Sequence, residues 1–259
     1  MFLAIDIGNS NITIGVFDND KIKFVSRIST DRSKTPDQYA IEIDNILNLY
    51  GTLPKEIDNS AISSVVPELT DEIGKAVNII TGRSPLIINS EIETDMKIMI
   101  DDPNQLGADL YAGCYGAAKL YPLPCIVIDL GTASKISIID KNCNFRGCAI
   151  APGIKISLEA LSAKTSQLPN ISLKKPLHSI GTNTTDSMQS GVVYGFSSML
   201  DGLIERFEKE LDEGECFCIA TGGLAGDLVT SCKRKIVYNR ELILCGIKLI
   251  SDKITADKF

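Results

Sequence analysis

The chain has 259 residues, 44% of them hydrophobic, and a formal net charge of −7, with a mean hydropathy of +0.11 and a pI of about 4.9. That supplies a real core and allows one large domain or two small ones. The acidic balance argues against a general nucleic-acid surface, which needs clustered Lys and Arg, and there is no run of about 18 apolar residues to make a transmembrane helix.

In chain order, apolar and β-branched runs predict strands over 2–6, 12–17 and 21–29, with Asp18, Asn19 and Asp20 as turn residues between the last two. Thr35-Pro36-Asp37-Gln38 reads as a helix start, and Ile41, Ile43, Ile46 and Leu47 give helical spacing up to Tyr50. A buried strand follows over 59–66, then a helix over 69–81 and a strand over 85–88. An Ala- and Gly-rich helix is expected over 111–120, and Tyr121-Pro122-Leu123-Pro124 is a plausible joint. A second strand–turn–strand begins at Cys125. Helices are predicted over 153–161, 184–207 and 240–254, with a strand over 216–221. The expected class is α/β with mixed sheets flanked by helices, in two domains of residues 1–121 and 122–259.

The division rests on an internal repeat. FLAIDIGNSNITIGVFDND (2–20) and CIVIDLGTASKISIIDKNC (125–143) share four mostly apolar residues, then Asp-x-Gly, small polar residues and a second β-rich run. Asp6 corresponds to Asp129 and Gly8 to Gly131. A glycine turn lets backbone N–H groups approach a phosphate, and the aspartate can hold a cation beside it. Two such turns facing each other would make a nucleotide clamp. For either aspartate the plain alternative is capping of its own hairpin turn. Asn9, Ser10 and Thr132 add amide and hydroxyl donors next to the glycines, and Thr221-Gly222-Gly223 closes a later strand. Asp109 falls in the first turn of its helix, where it is either a favourable helix-end charge or a general base.

The first residues, MFLAIDIG, lack a basic segment, and Asp6 interrupts the apolar stretch, so no secretory signal is expected. The eight cysteines then read as reduced thiols of a cytoplasmic protein, with Cys125, Cys216, Cys218 and Cys245 as small core residues. Cys216-x-Cys218 lacks the paired knuckles of a zinc site. His178 is the only histidine, which argues against a Ser–His–Asp triad. Lys233-Arg234-Lys235 reads as a solvated loop.

Several motifs occur in a fixed order. They are Asp6-Ile7-Gly8-Asn9-Ser10, Gly107-Ala108-Asp109, Asp129-Leu130-Gly131-Thr132-Ala133 and the segment Gly147-Cys148-Ala149-Ile150-Ala151-Pro152-Gly153. After them come Thr165-Ser166-Gln167-Leu168-Pro169, Gly181-Thr182-Asn183-Thr184 with Ser190-Gly191, and Thr221-Gly222-Gly223. Together they resemble the type III pantothenate kinases over nearly the whole chain. The resemblance implies two ribonuclease-H-like lobes of the actin-like ATPase fold with ATP between them. It implies phosphorylation of pantothenate in a cytoplasmic homodimer, with no nucleic acid or membrane partner. The implied ions are Mg2+ with ATP and a monovalent cation, K+ or NH4+.

By matched motif, Asp6, Ile7, Gly8, Asn9, Ser10, Asn11, Ile12 and Thr13 would line the ATP phosphates, helped by Thr132. Asp129 would hold the monovalent cation and Asp109 would accept the proton. Gly107, Ala108, Asp109, Leu110, Ile100 and Thr184 would contact pantothenate. The chain departs from the family pattern at Leu110 (usually Arg), Ile100 (usually Tyr), Lys135 (usually Thr) and Ser137 (usually Asp). Lys135 would stand in for part of the cation, hold the substrate carboxylate, or simply be solvated. The other readings left by these departures are a kinase for another small hydroxylated acceptor and a non-catalytic nucleotide-binding or regulatory relative.

Overall fold

The computed structural model describes residues 1–89, 91–165 and 168–257. Its strands are β1 (Phe2–Ile7), β2 (Asn11–Asp18), β3 (Lys21–Ser29), β4 (Asn59–Ser64), β5 (Leu86–Ile87), β6 (Lys97–Ile98), β7 (Cys125–Leu130), β8 (Ala133–Ile139), β9 (Asn144–Pro152), β10 (Phe217–Thr221) and β11 (Ile236–Tyr238). Its α-helices are α1 (Pro36–Leu49), α2 (Pro67–Thr81), α3 (Ala108–Leu120), α4 (Ile154–Lys164), α5 (Thr184–Leu211), α6 (Ala225–Leu228) and α7 (Leu242–Ala256).

The chain forms two compact units. One holds Met1–Met96, Asp101–Gly116 and Ile243–Phe259, the other Lys97–Ile100 and Ala117–Leu242. Besides the changeover at 116–117, the chain changes unit around β6 and again at 242–243. The last change has a packing cause. Helix α7 crosses α3 so closely that a Cβ on Gly246 would lie 1.8 Å from the Ala112 carbonyl oxygen.

The first unit carries a five-stranded sheet in the order β3-β2-β1-β4-β5. Strand β1 runs antiparallel to β2 and parallel to β4. Alternation along β1 sends Leu3, Ile5 and Ile7 to one face, where they meet Ile12 and Ile14 of β2, Ile43 and Leu47 of α1, and Leu69 and Ile73 of α2. Each such side chain stabilises the unit by about 1.5–3 kcal/mol relative to exposure. Asp6 is thereby turned to the opposite face. Helix α1 starts where expected: Gln38 N–H donates to Thr35 Oγ1 and Thr35 N–H donates to Gln38 Oε1, a reciprocal cap. At the β2–β3 turn, Asn19 takes a left-handed φ of 54°, as the polar cluster there anticipates.

The second unit repeats the pattern. Its sheet runs β11-β10-β7-β8-β9-β6. Strand β7 is antiparallel to β8 and parallel to β10, as β1 is to β2 and β4. The repeat in the sequence is therefore a repeat of topology. Ile126, Ile128 and Leu130 of β7 join Ile136 and Ile138 of β8 and Val192, Leu200 and Ile204 of α5 in the core, which turns Asp129 to the other face. The short edge strands β6 and β11 were not expected. Arg234 of the basic run is not merely solvated, since it pairs with Glu208 and Glu215. Cys125, Cys216 and Cys218 are buried and Cys245 is half-buried.

Candidate functional site

In the first unit the apolar strand β1 delivers Asp6 to the edge of a tight turn. The register sets Asp6 beside Thr13 of β2 and Ser63 of β4, so its two strand neighbours on that face both carry hydroxyls. The turn is closed by Gly8 N–H donating to the Asn11 carbonyl at 3.0 Å. It is braced by Thr30, whose Oγ1 donates to the Gly8 carbonyl at 2.6 Å. This refines the expectation about backbone donors, because the Gly8 amide is spent on the turn itself. The exposed segment Asn9–Ser10–Asn11 forms the tip, and Arg32 donates to Asn9 Oδ1 at 3.2 Å.

Gly107, Ala108, Asp109 and Leu110 lie together at the start of α3, all half-buried. Tyr111 N–H donates to the Gly107 carbonyl. The Asp109 carboxylate accepts from the Leu110 amide at 2.7 Å, the helix-end position that favours a negative charge. That contact holds one oxygen of the carboxylate at the helix start. Ile100 is half-buried and belongs to the second unit.

In the second unit β7 delivers Asp129 to the matching place. The Gly131 N–H donates to the Ala133 carbonyl at 3.2 Å. Two later glycines hold this turn from outside. A Cβ on Gly153, at the N-cap of α4, would lie 2.2 Å from the Thr132 carbonyl oxygen and 2.6 Å from that of Gly131. A Cβ on Gly222, which has φ +96°, would lie 2.5 Å from the Leu130 carbonyl oxygen. Both glycines come from segments singled out in the sequence, and here their purpose is close backbone approach. Thr132 is exposed at the tip.

Asp129 is directly opposite Lys135 across the β7–β8 pair and beside Thr221 of β10. The Lys135 ammonium stands 3.1 Å from Asp129 Oδ2, and each side chain keeps 16% of its surface exposed. Lys135 is therefore not a solvated strand residue. Ser137, two residues on along the same face, is fully buried. Among the described residues its hydroxyl has no hydrogen-bond partner.

Thr184 begins α5 and is exposed. It borders a cavity of about 740 Å³ within the second unit, lined also by Leu161, Gly181, Met188 and Phe196. Ser166 and Gln167 of the Thr165–Pro169 motif lie outside the described residues. Two residues beside the aspartates were missed or undervalued by sequence reasoning. Ser63 sits in a run that reads only as a buried strand. Thr221 stood out only through its glycines.

The family model described as type III pantothenate kinase matches residues 2–206. A type III pantothenate kinase from Shouchella clausii (strain KSM-K16) is 41% identical over 254 residues, covering 98% of this chain and 99% of the relative. The chain belongs to the type III pantothenate kinase family. The corresponding protein of Finegoldia magna is 39% identical, with 97% of each chain covered. Among solved structures, the activator of the 2-hydroxyisocaproyl-CoA dehydratase from Clostridium difficile, with bound ADPNP, superposes with a TM-score of 0.57 at 11% identity, covering 99% of this chain and 97% of the other. A ROK family glucokinase from Streptomyces griseus, in complex with glucose and AMPPNP, gives 0.52 at 13% identity, covering 97% and 99%. These likenesses carry the fold, which is that of the actin-like ATPases.

The monovalent cation that the family resemblance implies at Asp129 does not fit this chain as it stands. The carboxylate already faces the charged end of Lys135 at 3.1 Å, and a second positive charge there would be repelled.

Proposed function

We propose that the protein transfers the γ-phosphoryl group of ATP to the primary hydroxyl of pantothenate, giving 4′-phosphopantothenate in the first step of coenzyme A synthesis. The observation that carries this reading is kinship along the whole chain, 41% identity over 98% of its length, with Asp109 placed at a helix start and both Asp-x-Gly turns intact.

Phosphoryl transfer asks the protein mainly for positioning and charge neutralisation. In this reading the 6–13 hairpin, whose tip is Asn9–Ser10–Asn11, receives the ATP phosphates, and Thr132 adds a hydroxyl. Gly107, Ala108, Leu110, Ile100 and Thr184 contact the acceptor. Asp109, oriented by the Leu110 amide, takes the proton of the attacking hydroxyl. Asp6 with the neighbouring hydroxyls of Thr13 and Ser63 is an all-oxygen set that suits Mg2+ held largely by the nucleotide. Bound there, that ion would neutralise phosphate charge. Among the described residues there is no group of three His, Cys, Asp or Glu that could hold a metal unaided. A cytoplasmic homodimer belongs to the same reading.

Half-buried Leu110 favours a second acceptor class. An alkyl side chain stands where the family usually has Arg, which removes a charge-assisted contact worth about 1.5–3 kcal/mol to an anionic acceptor.

The test is ADP release with MgATP, with and without pantothenate, alongside a panel of small hydroxylated acceptors. Pantothenate-dependent release that falls by about 10²–10⁴-fold in Asp109→Asn is expected. Near-normal turnover by Asp109→Asn would remove the base assignment. Release with another acceptor only would move the substrate.

A further inference from the structure

We propose that the Lys135 ammonium is the resident cation of the Asp129 turn, so that the nucleotide is held there without an added monovalent ion. This rests on reading that turn as a nucleotide-phosphate site.

Three observations carry it. The first is register: Asp129 and Lys135 are directly opposed across an antiparallel pair, so the side chains leave the same face of adjacent strands and meet at 3.1 Å. The second is burial. With 84% of each side chain's surface covered, as its 16% exposure requires, both charges are largely desolvated. A pair in that position is a poor source of stability, because desolvation offsets the attraction. Its value is better sought in charge placed where it is used. The third is rigidity. The 130–132 turn next to the pair is gripped by the backbones at Gly153 and Gly222, so the ammonium is presented from a fixed frame.

Chemically, an ammonium group and a potassium ion are near in size and carry the same charge. A lysine reaching the carboxylate from the opposite strand does what a bound K+ or NH4+ would do. It neutralises Asp129, so that arriving phosphate oxygens do not meet an uncompensated carboxylate. Being covalently attached, it needs no ion concentration to stay in place.

The experiment is equilibrium binding of a non-hydrolysable ATP analogue with Mg2+, followed calorimetrically and without acceptor. Choline chloride is exchanged for KCl at constant ionic strength. Wild-type protein should show no K+-specific gain in affinity. Lys135→Thr should lose about tenfold or more in choline and recover it in K+ or NH4+, a rescue that a purely structural lysine would not give. A tenfold K+-specific gain in the wild type overturns the inference. So does Lys135→Thr binding as tightly as wild type in choline. If Lys135→Thr does not fold, Lys135→Arg replaces it. Retained, K+-independent binding by Lys135→Arg supports the inference, and new K+ dependence refutes it. If the wild type binds no nucleotide in either salt, the functional reading falls separately. Thallium NMR then decides the cation: Tl+ bound by Lys135→Thr but not by wild type upholds Lys135 as its substitute, and Tl+ bound by wild type sinks it.

Discussion

Gly153→Ala tests whether the second turn is held by backbone contact. At φ −68° and ψ 158° the position suits any residue, so alanine brings no backbone strain. The cost comes from contact alone. The new methyl would meet the Thr132 oxygen at 2.2 Å, the Gly131 oxygen at 2.6 Å and the Thr132 carbonyl carbon at 2.8 Å, against 3.4–4 Å for ordinary contact. All three are main-chain atoms, so no side chain can swing aside. The turn must withdraw by on the order of 1 Å, at the 1–3 kcal/mol or so that overpacking usually costs. At about 2–4 °C per kcal/mol, the melting temperature should fall by about 2–12 °C. Function should suffer more, since a displacement of about 1 Å in a positioning element can cost about 10²-fold in rate. The control is Gly195→Ala, at an exposed position on α5 where nothing lies within 4 Å of the added Cβ. There alanine should gain about 0.5–1 kcal/mol. Differential scanning calorimetry and ADP release on both variants complete the test. Wild-type melting and turnover in Gly153→Ala would refute the contact argument.

Gly246→Ala should be strongly disruptive to the first unit. Its Cβ would lie 1.8 Å from the Ala112 carbonyl oxygen and 3.2 Å from the Gly116 nitrogen, so α7 must leave α3; soluble yield and circular dichroism would register it. Asp140 is buried, and burial pushes its carboxyl up. Hydrogen bonds from the side chain and amide of Asn144, from Arg146 and from the Asn142 amide outweigh that and hold it below 3.8. A carboxyl depressed on folding stabilises above its unfolded pKa of about 3.9, and the contribution disappears as pH falls through the folded value. Asp140→Asn should therefore cost about 1–3 kcal/mol in urea denaturation at neutral pH, and the gap to wild type should close in acid. Burial raises the thiols of Cys216 and Cys218 to about 12 and about 11, so neither should react with a disulfide reagent at mildly alkaline pH until the chain unfolds. Rapid labelling of either in native protein would contradict that.

The parts legible in the sequence were those written in strong local code. Alternation over 2–6 and 12–17, polar residues at 18–20 and the Thr35–Gln38 cap each carry their own signal, and the elements appear there. Strands β6 and β11, two and three residues long, carry no periodicity and exist only because a neighbouring strand offers an edge. The glycines of the Asp-x-Gly turns were legible as turns but not as what they donate to. Hydrogen-bond pairing inside the turn takes the Gly8 and Gly131 amides.

The most consequential feature lay between these cases. Asp129 and Lys135 stand three residues either side of Thr132, so hairpin symmetry alone sets them opposite each other. The first hairpin has a turn one residue longer, which sets Asp6 opposite Thr13 instead. The two hairpins therefore place a different residue across from each aspartate, a hydroxyl in the first and an ammonium in the second. In the first copy both strand neighbours of the carboxylate carry hydroxyls, which in the proposed reading suits a cation arriving with the nucleotide. The second supplies its own positive charge. The two turns differ in length by one residue, and in the proposed reading the lysine on strand β8 is what gives the second its own counter-ion.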